Sequence, residues 1–311
     1  MRSVTFIGPP YLFGASRRRP ASQVLQTVPE HFGDYHEPYL GGGARAIAVM
    51  QSHPDAIYQL HSASAELGAV WRALPAAIDD IVARVLEHVA LHSRSHFDEV
   101  RRQALSGDAG SGEAGSGDAG SGDVGSGDAG SGDVGSGDVG SGDADRAARF
   151  IYLCGSAQGG GAAGAADDFA TAQFGRDTVA FDESNLRALA ALLADRDVRV
   201  DARPLFDQIA VIREVDFVFL DAPTTERPPL TAVRAAGLRE LKSFVSTVTA
   251  RGAFVLLAGH PSDDEVGGAA TWNGVVRLDE LAHRDGRGHG DGGGEVFWAN
   301  SLLVRALNAK R

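Results

Sequence analysis

The sequence predicts an α/β protein with a mostly parallel sheet and helices on both faces. Short apolar segments that are typical of buried strands alternate along the chain with amphipathic helical segments. A glycine turn at 41–43 precedes a predicted helix, and an apolar strand at 217–220 ends in Asp221. Because α/β proteins place their sites at the carboxyl ends of parallel strands, we expect both features at that edge of the sheet.

The elements follow from the spacing of apolar residues along the chain. The segment 79–92, for example, carries apolar residues at helical spacing, and Ser184 is expected to cap the helix that follows it. Trp298 is expected in the core of a strand, and Cys154 is expected to be a buried, inert thiol. Helices are predicted at 24–25, 44–50, 65–74, 79–92, 146–153, 184–193 and 230–251, and strands at 56–60, 198–200, 217–220 and 253–258.

Composition sets limits on size and partners. The chain has 311 residues, 43% of them hydrophobic, which suffices for one large domain or a domain with a subdomain. No apolar run reaches the length of a membrane helix, so we expect a cytoplasmic protein without a membrane partner. Nine acids and no base lie in residues 106–145, so the remaining chain has a net charge of −3 instead of −12. Such a near-neutral remainder is compatible with DNA binding through a local patch.

Residues 106–145 form a low-complexity repeat with a period of five, of the type SGDAG or SGDVG. Glycine, serine and acids cannot bury enough apolar surface to offset their ordering entropy, so this segment is expected to be disordered and dispensable. Calcium-binding rolls also contain Gly-Asp repeats, but they use a nine-residue period with a large apolar residue in each unit. An expanded surface loop is therefore the favoured interpretation.

Two segments carry the candidate chemistry. In YHEPYLGGGARA (35–46) the glycines let a ligand approach the backbone, and the next helix N-terminus favours an anionic group. A turn that merely connects a strand to a helix explains the same residues. In DFVFLDAPT (216–224) an apolar strand ends in an acid and a proline turn, which also fits an aspartate that starts a turn.

In this order the two segments resemble the Dam-like class of adenine-specific DNA methyltransferases. YHEPYLGGGARA resembles the E-P-F-x-G-x-G cofactor loop, and DFVFLDAPT stands where the family has its catalytic D-P-P-Y strand. The other collinear segments are LFGASRR, SASAELGAVWRAL, HFDEVRRQ, AARFIYL, FATAQFGR, DESNLRALAALL and RGAFVLLAGH. The resemblance implies a Rossmann-like class I methyltransferase domain at 1–75 and 180–311. It also implies a helical target-recognition insertion at 76–179 that contains the repeat.

The resemblance further implies S-adenosylmethionine as cofactor, double-stranded DNA as substrate and a monomeric protein. The implied catalytic residues are Asp221, Ala222, Pro223 and Thr224. The implied cofactor-binding residues are Arg17, Glu37, Pro38, Tyr39, Gly41, Gly43, Ser62 and Asp221. In the family, the acid of D-P-P-Y accepts hydrogen bonds from the amino group of a flipped adenine, and the aromatic residue stacks on the base.

Several motif residues depart from the family pattern. Ala222 replaces the first proline of D-P-P-Y, and Thr224 replaces the aromatic residue, so no π-face is left to stack. Ser62 and Ser64 replace the acid and amide of D-x-N, and Arg17 replaces a lysine. These losses permit three hypotheses: a working but drifted methyltransferase, a catalytically inactive binding protein of the same fold, and a relic without a ligand.

A metal site is not expected. The candidate ligands lie in loops that are too glycine-rich to preorganise a metal site, and solvated loop is the favoured interpretation. They are His260, His283, Asp285, His289 and Asp291.

Overall fold

The computed structural model describes residues 7–11, 25–106, 141–158, 169–170, 172–221, 232–259, 275–278 and 296–310. Within these ranges seven strands form one sheet. They are β1 (Tyr35–Glu37), β2 (Ile57–His61), β3 (Asp197–Asp201), β4 (Phe217–Leu220), β5 (Phe254–Gly259), β6 (Val275–Arg277) and β7 (Val296–Asn300). The helices of the same ranges are α1 (Ala44–Ser52), α2 (Ala65–Ala90), α3 (Arg94–Ser106), α4 (Ser141–Ser156), α5 (Glu183–Ala194), α6 (Ala232–Ala250) and α7 (Ser301–Ala309), with a short 3-10 helix at Asp207–Val211.

The strand order is β3-β2-β1-β4-β5-β7-β6. The strands from β3 to β5 run parallel to their neighbours, whereas β7 is antiparallel to both β5 and β6. The chain moves outward from β1 to β3 and then returns to the other side of β1 with β4, which is a topological switch point. The predicted α/β fold with a mostly parallel sheet is confirmed, and it is compatible with a Rossmann-like fold.

Helices cover both faces of the sheet. Alternate residues of each strand point to opposite faces, and the apolar side chains on each face pack against a different set of helices. On the first face Phe217 and Phe219 pack with apolar residues of α1 and α7, among them Ile47 and Leu303. On the second face the intervening strand residues pack against α6. This second cluster includes Val218, Leu220, Phe244 and Val248. Strand β4 is therefore apolar on both sides, as expected for a parallel strand covered by helices.

Helix α2 agrees with the two helices predicted at 65–74 and 79–92. Its span Ala65–Ala90 consists of two helical segments that meet at Ala77, where the backbone angles are not helical (φ −130°, ψ 29°). Pro75 lies two residues earlier, lacks an N–H group and clashes with the carbonyl four residues before it. The proline therefore divides the span into two helical segments where the apolar pattern is interrupted.

Helix α4 begins inside the repeat and packs along α2. Asp143 forms an ion pair with Arg72 (Nε–Oδ2 3.0 Å), and Asp145 forms one with Arg84. Residues 141–145 are thus helical, in contrast to the disorder expected for the whole repeat. The reason is that Asp143 and Asp145 lie in helix α4 and pair with arginines of α2. Residues 107–140 lie outside the described residues.

Three local predictions can be compared with the structure. Asp182 caps α5 in place of Ser184, since its side chain accepts a hydrogen bond from the Asn185 N–H (2.9 Å) and the helix begins one residue earlier than predicted. Trp298 is buried in β7, and Cys154 is buried in α4, as predicted. Of the helices that the structure describes, none is long and apolar enough to cross a membrane.

The domain boundary predicted between residues 75 and 76 falls within α2. The division of the chain into two domains stays a prediction.

Candidate functional site

The glycine turn connects β1 to α1 at the carboxyl edge of the sheet. Gly43 is the N-cap of α1 and has φ 67°, a conformation that side chains rarely adopt. A Cβ on Gly43 would also lie 2.1 Å from Trp71 Cζ2, whereas a Cβ on Gly41 would meet no atom within 4 Å. Gly43 is therefore required by the fold, and Gly41 borders open space in the described part of the chain.

The turn is fixed to the end of the neighbouring strand. The Leu40 N–H donates to the carbonyl of His61, the last residue of β2 (2.8 Å). Pro38 is buried, and Tyr39 is half-buried against the second core cluster. Burial, with a smaller contribution from the charge of Glu240, raises the pKa of Tyr39 to about 12, so its hydroxyl stays protonated near neutral pH.

Glu37 ends β1 and is buried, with 3% of its surface exposed. The Tyr35 hydroxyl donates a hydrogen bond to Glu37 Oε2 (2.7 Å). Burial raises the pKa of Glu37 to about 7, and the charge of Asp221 adds to this effect. The Tyr35 hydrogen bond, the charge of Arg45 and the backbone N–H of Ala46 act in the opposite direction. The carboxyl group can therefore gain or lose a proton near neutral pH.

Asp221 follows β4 directly and is exposed. Strand β4 pairs in parallel with β1, with Tyr35 opposite Phe217 and His36 opposite Val218. The prediction that the glycine turn and Asp221 lie at the carboxyl ends of neighbouring strands is therefore confirmed. The functional roles of these residues stay predictions. Ala222, Pro223, Thr224 and Arg17 lie outside the described residues.

Ser62 follows β2, and its polar groups are already engaged in the local turn. Its N–H donates to the Asp201 carbonyl (3.0 Å), and its hydroxyl bonds with the backbone of Ser64 at 3.2–3.3 Å. Ser64 in turn caps α2 by accepting from the Leu67 N–H (3.2 Å). The two serines therefore form a helix-capping turn, and neither supplies a carboxylate at the end of β2.

Arg45 belongs to the same region but was not among the residues predicted from the sequence. It lies in the first turn of α1, is 8% exposed, and its guanidinium carbon lies 3.9 Å from the ring centre of Phe219. The ring of Phe297 is at 4.7 Å. The sequence could have indicated this residue, because Arg45 is a cation in the first turn of an otherwise apolar helix. The N-terminal end of a helix disfavours positive charge.

A second polar network lies on the other face of β1 and was also missed. His36 is fully buried and donates from Nε2 to Asp216 Oδ2 (3.0 Å), while the N–H groups of Asp34 (2.8 Å) and Arg213 (2.7 Å) donate to the same carboxylate. Burial acts to raise the pKa of Asp216, but these hydrogen bonds leave it below its ordinary value. The network fixes the amino end of β4 to β1.

His61 forms a further pair with Asp201, which lies opposite it at the carboxyl end of β3. Burial lowers the pKa of His61, although the carboxylate of Asp201 acts in the other direction. In the described residues no group of three or more histidine, cysteine or acidic side chains is arranged to hold a metal ion. The metal candidates rejected from the sequence, His260 to Asp291, lie outside those residues.

No protein-family model matches the chain, and no curated protein matches its sequence. The described residues define an α/β protein with a mostly parallel seven-stranded sheet, a glycine turn after β1 and an acid after β4.

Proposed function

We propose that the chain has the fold of class I S-adenosylmethionine-dependent methyltransferases and that the glycine turn is its cofactor site. The observation that carries this proposal is the parallel pairing of β1 with β4, because it brings the glycine turn and Asp221 to one edge of the sheet. This edge lies at the switch point, where open α/β sheets bind their ligands. Burial raises the pKa of Glu37 and the charge of Asp221 raises it further, so the two acids interact electrostatically.

The strand order supports the same class. The order of the five parallel strands, β3-β2-β1-β4-β5, is that of the doubly wound dinucleotide-binding fold. Here β7 enters antiparallel between β5 and β6. An antiparallel strand inserted at this position is the feature by which class I methyltransferases differ from dinucleotide-binding proteins.

The residues at the turn fit S-adenosylmethionine in part. The open space beside Gly41 leaves room for a ligand against the backbone, and Glu37 can offer a carboxylate to an amino group near neutral pH. Ser62 offers only a hydroxyl that is engaged with Ser64. When bound, the cofactor would supply an electrophilic sulfonium methyl group. We therefore expect binding that is weaker than at a site with a carboxylate after β2.

The proposed methyl acceptor is the amino group of an adenine flipped out of duplex DNA. Asp221 is exposed at the end of β4, where it can accept a hydrogen bond from that amino group. Thr224 cannot stack on the base, and lost stacking costs about 1–3 kcal/mol. Ala222 replaces a proline, whose ring would restrict the backbone at this position. We therefore expect methyl transfer to be slow or absent.

A catalytically inactive binding protein of the same fold is the alternative. The specific observation in its favour is the capping turn of Ser62 and Ser64, which stabilises α2 where the family resemblance implies an acid and an amide. A site that has exchanged ligand-binding groups for fold-stabilising ones fits a protein that keeps the architecture and some affinity for the cofactor or for DNA.

The test combines titration calorimetry with a transfer assay. We expect S-adenosylmethionine to bind at one site, and labelled methyl to reach mixed-sequence duplex DNA at least tenfold more slowly than the ordinary median turnover of about 10 per second. Binding without transfer supports the alternative. Turnover near the median would show that the site is not eroded. Absence of S-adenosylmethionine binding would overturn the first proposal, and absence of binding to duplex DNA as well would overturn the alternative.

A further inference from the structure

Arg45 is a buried cation at an unfavourable place, two residues after Gly43. The first turn of a helix carries partial positive charge, so an arginine there is held by something other than the helix. Its guanidinium lies over the ring of Phe219 in β4 (3.9 Å) and near the ring of Phe297 in β7 (4.7 Å). A planar guanidinium over aromatic faces is a specific arrangement that lysine reproduces poorly.

These contacts connect the two halves of the proposed site. Arg45 belongs to the helix that follows the glycine turn, and Phe219 lies two residues before Asp221. The stacked guanidinium therefore fixes α1 against the strand that ends in the candidate catalytic acid. A displacement of one element relative to the other would break the stack.

Arg45 also acts on the charge state of Glu37. Burial raises the pKa of Glu37 to about 7, and the negative charge of Asp221 raises it further. The Tyr35 hydroxyl and the Arg45 guanidinium oppose this increase. Without this positive charge, a larger fraction of Glu37 would be protonated at neutral pH, and the neutral carboxyl group would attract a cationic ligand less strongly.

We propose that Arg45 is the positioning residue of this site: its guanidinium, stacked on Phe219, holds α1 and the glycine turn in register with the strand that precedes Asp221, and its positive charge favours the ionised form of Glu37. The inference rests on the proposed function, because it assigns Glu37 and the glycine turn to one ligand. Arg45 acts through these residues and is not itself proposed to touch the reacting atoms.

A purely structural arginine is the competing explanation, and Arg149 provides the control for it. Arg149 is equally buried, in α4, and pairs with Glu66 of α2 (Nη2–Oε1 2.7 Å). Arg149→Met therefore removes a buried arginine without touching the glycine turn. If only the loss of a buried arginine mattered, Arg45→Met and Arg149→Met would have the same effects on the site.

The experiment follows the Glu37 carboxyl carbon by NMR during a pH titration of the full chain, with Glu37→Gln to assign the signal. Arg45→Met should raise the midpoint by about one pH unit, a tenfold change in proton affinity. Arg45→Lys, which keeps the charge, should leave the midpoint close to the wild-type value. Arg149→Met should leave it unchanged. An unshifted midpoint in Arg45→Met would overturn the proposed effect on charge.

Calorimetry with S-adenosylmethionine over the same pH range tests the positioning role. In Arg45→Met, the pH at which the affinity for S-adenosylmethionine rises should be higher by about one unit. Arg45→Lys should weaken binding at every pH by roughly threefold or more, as expected when the guanidinium no longer stacks on the rings. Equal affinity of Arg45→Lys and wild type would overturn that role, even if Arg45→Met does not fold. The NMR titration needs no ligand. A wild-type chain that shows the predicted coupling but no binding would disprove the proposed cofactor and leave the control of Glu37 by Arg45 established.

Discussion

Glu37 and Asp221 lie at the carboxyl ends of adjacent parallel strands, where burial raises the pKa of the Glu37 carboxyl and the charge of Asp221 raises it further. A neighbouring negative charge disfavours the ionised form of a buried acid. The charge of Arg45 acts in the opposite direction, so the charge state of Glu37 depends on groups from β1, α1 and the end of β4.

The first prediction concerns stability as a function of pH. The pKa of Glu37 in the folded chain, about 7, lies above its ordinary value of 4.5. Its contribution to stability is therefore present below pH 4.5 and is lost as the pH rises through 7. Glu37→Gln does not titrate, so its free energy of unfolding relative to wild type should increase by up to about 3 kcal/mol across this window.

Urea unfolding of both proteins at several pH values between 5 and 8 measures this difference. Glu87→Gln, which removes an exposed carboxylate from α2, is the control. A constant difference between Glu37→Gln and wild type would mean that Glu37 is ionised throughout the range.

The second prediction separates the two glycines of the turn. Gly43→Ala should destabilise the chain by at least about 2 kcal/mol, because the new Cβ meets Trp71 at 2.1 Å and the backbone has φ 67°. Gly41→Ala should change stability by less than about 1 kcal/mol, since its Cβ has open space, but should weaken binding of S-adenosylmethionine. Thermal unfolding and calorimetry of both variants measure these effects. Unchanged affinity for S-adenosylmethionine in Gly41→Ala would show that the ligand does not bind beside Gly41.

The third prediction concerns a histidine cluster around Tyr152, where α2, α3 and α4 meet. His88 Nδ1 lies 3.0 Å from His96 Nε2, and His92 Nδ1 lies 3.1 Å from the Tyr152 hydroxyl. Burial, followed by the charges of His96 and Arg149, lowers the pKa of His88 to about 4. The stability of this region is therefore present above the ordinary pKa of 6.5 and is lost as the pH falls through 4.

Replacement of His88 by phenylalanine tests this, because the ring still stacks on Tyr152, where the centroids are 5.0 Å apart, and does not titrate. Between pH 6.5 and 4, His88→Phe should lose about 1–2 kcal/mol less stability than wild type, a value that allows for partial solvent exposure. Hydrogen exchange of the α3 amides measures local opening. His31→Phe, at an exposed site, is the control, and acid sensitivity that is equal in all three proteins would contradict the assignment.

Sequence patterns predicted the parts of the fold that depend on local spacing. The strand at 217–220 with its terminal acid, the glycine turn and helix α1 follow from apolar runs and from turn residues within one short segment. They did not predict the partners of His36, because Asp216 is 180 residues away along the chain. The stacking of Arg45 on Phe219 and Phe297 was missed for the same reason, since it exists only after three separate elements have packed.

The last prediction concerns chemistry at the end of β4. If trace methyl transfer to duplex DNA is detected, Asp221→Ala should abolish it, because the side chain that accepts a hydrogen bond from the adenine amino group is lost. Ala222→Pro together with Thr224→Tyr should raise the rate by roughly 5- to 150-fold, since a stacked aromatic ring contributes about 1–3 kcal/mol. Single-turnover transfer of labelled methyl from S-adenosylmethionine measures both effects.

The variant with Ala222→Pro and Thr224→Tyr (the restored variant) should raise the rate of methyl transfer, whereas Asp221→Ala should lower it. Thr224→Leu together with Ala222→Pro is the matched control, because it adds apolar bulk without a ring that can stack, and it should recover little activity. Binding of S-adenosylmethionine should stay the same in the restored variant and its control, so that the change in rate reports on the base and not on the cofactor. Trace activity that is indifferent to both Asp221→Ala and the restored loop would come from another protein or another site. The loop after β4 would then have no part in methyl transfer, and the inactive binding protein would be the better account of this fold.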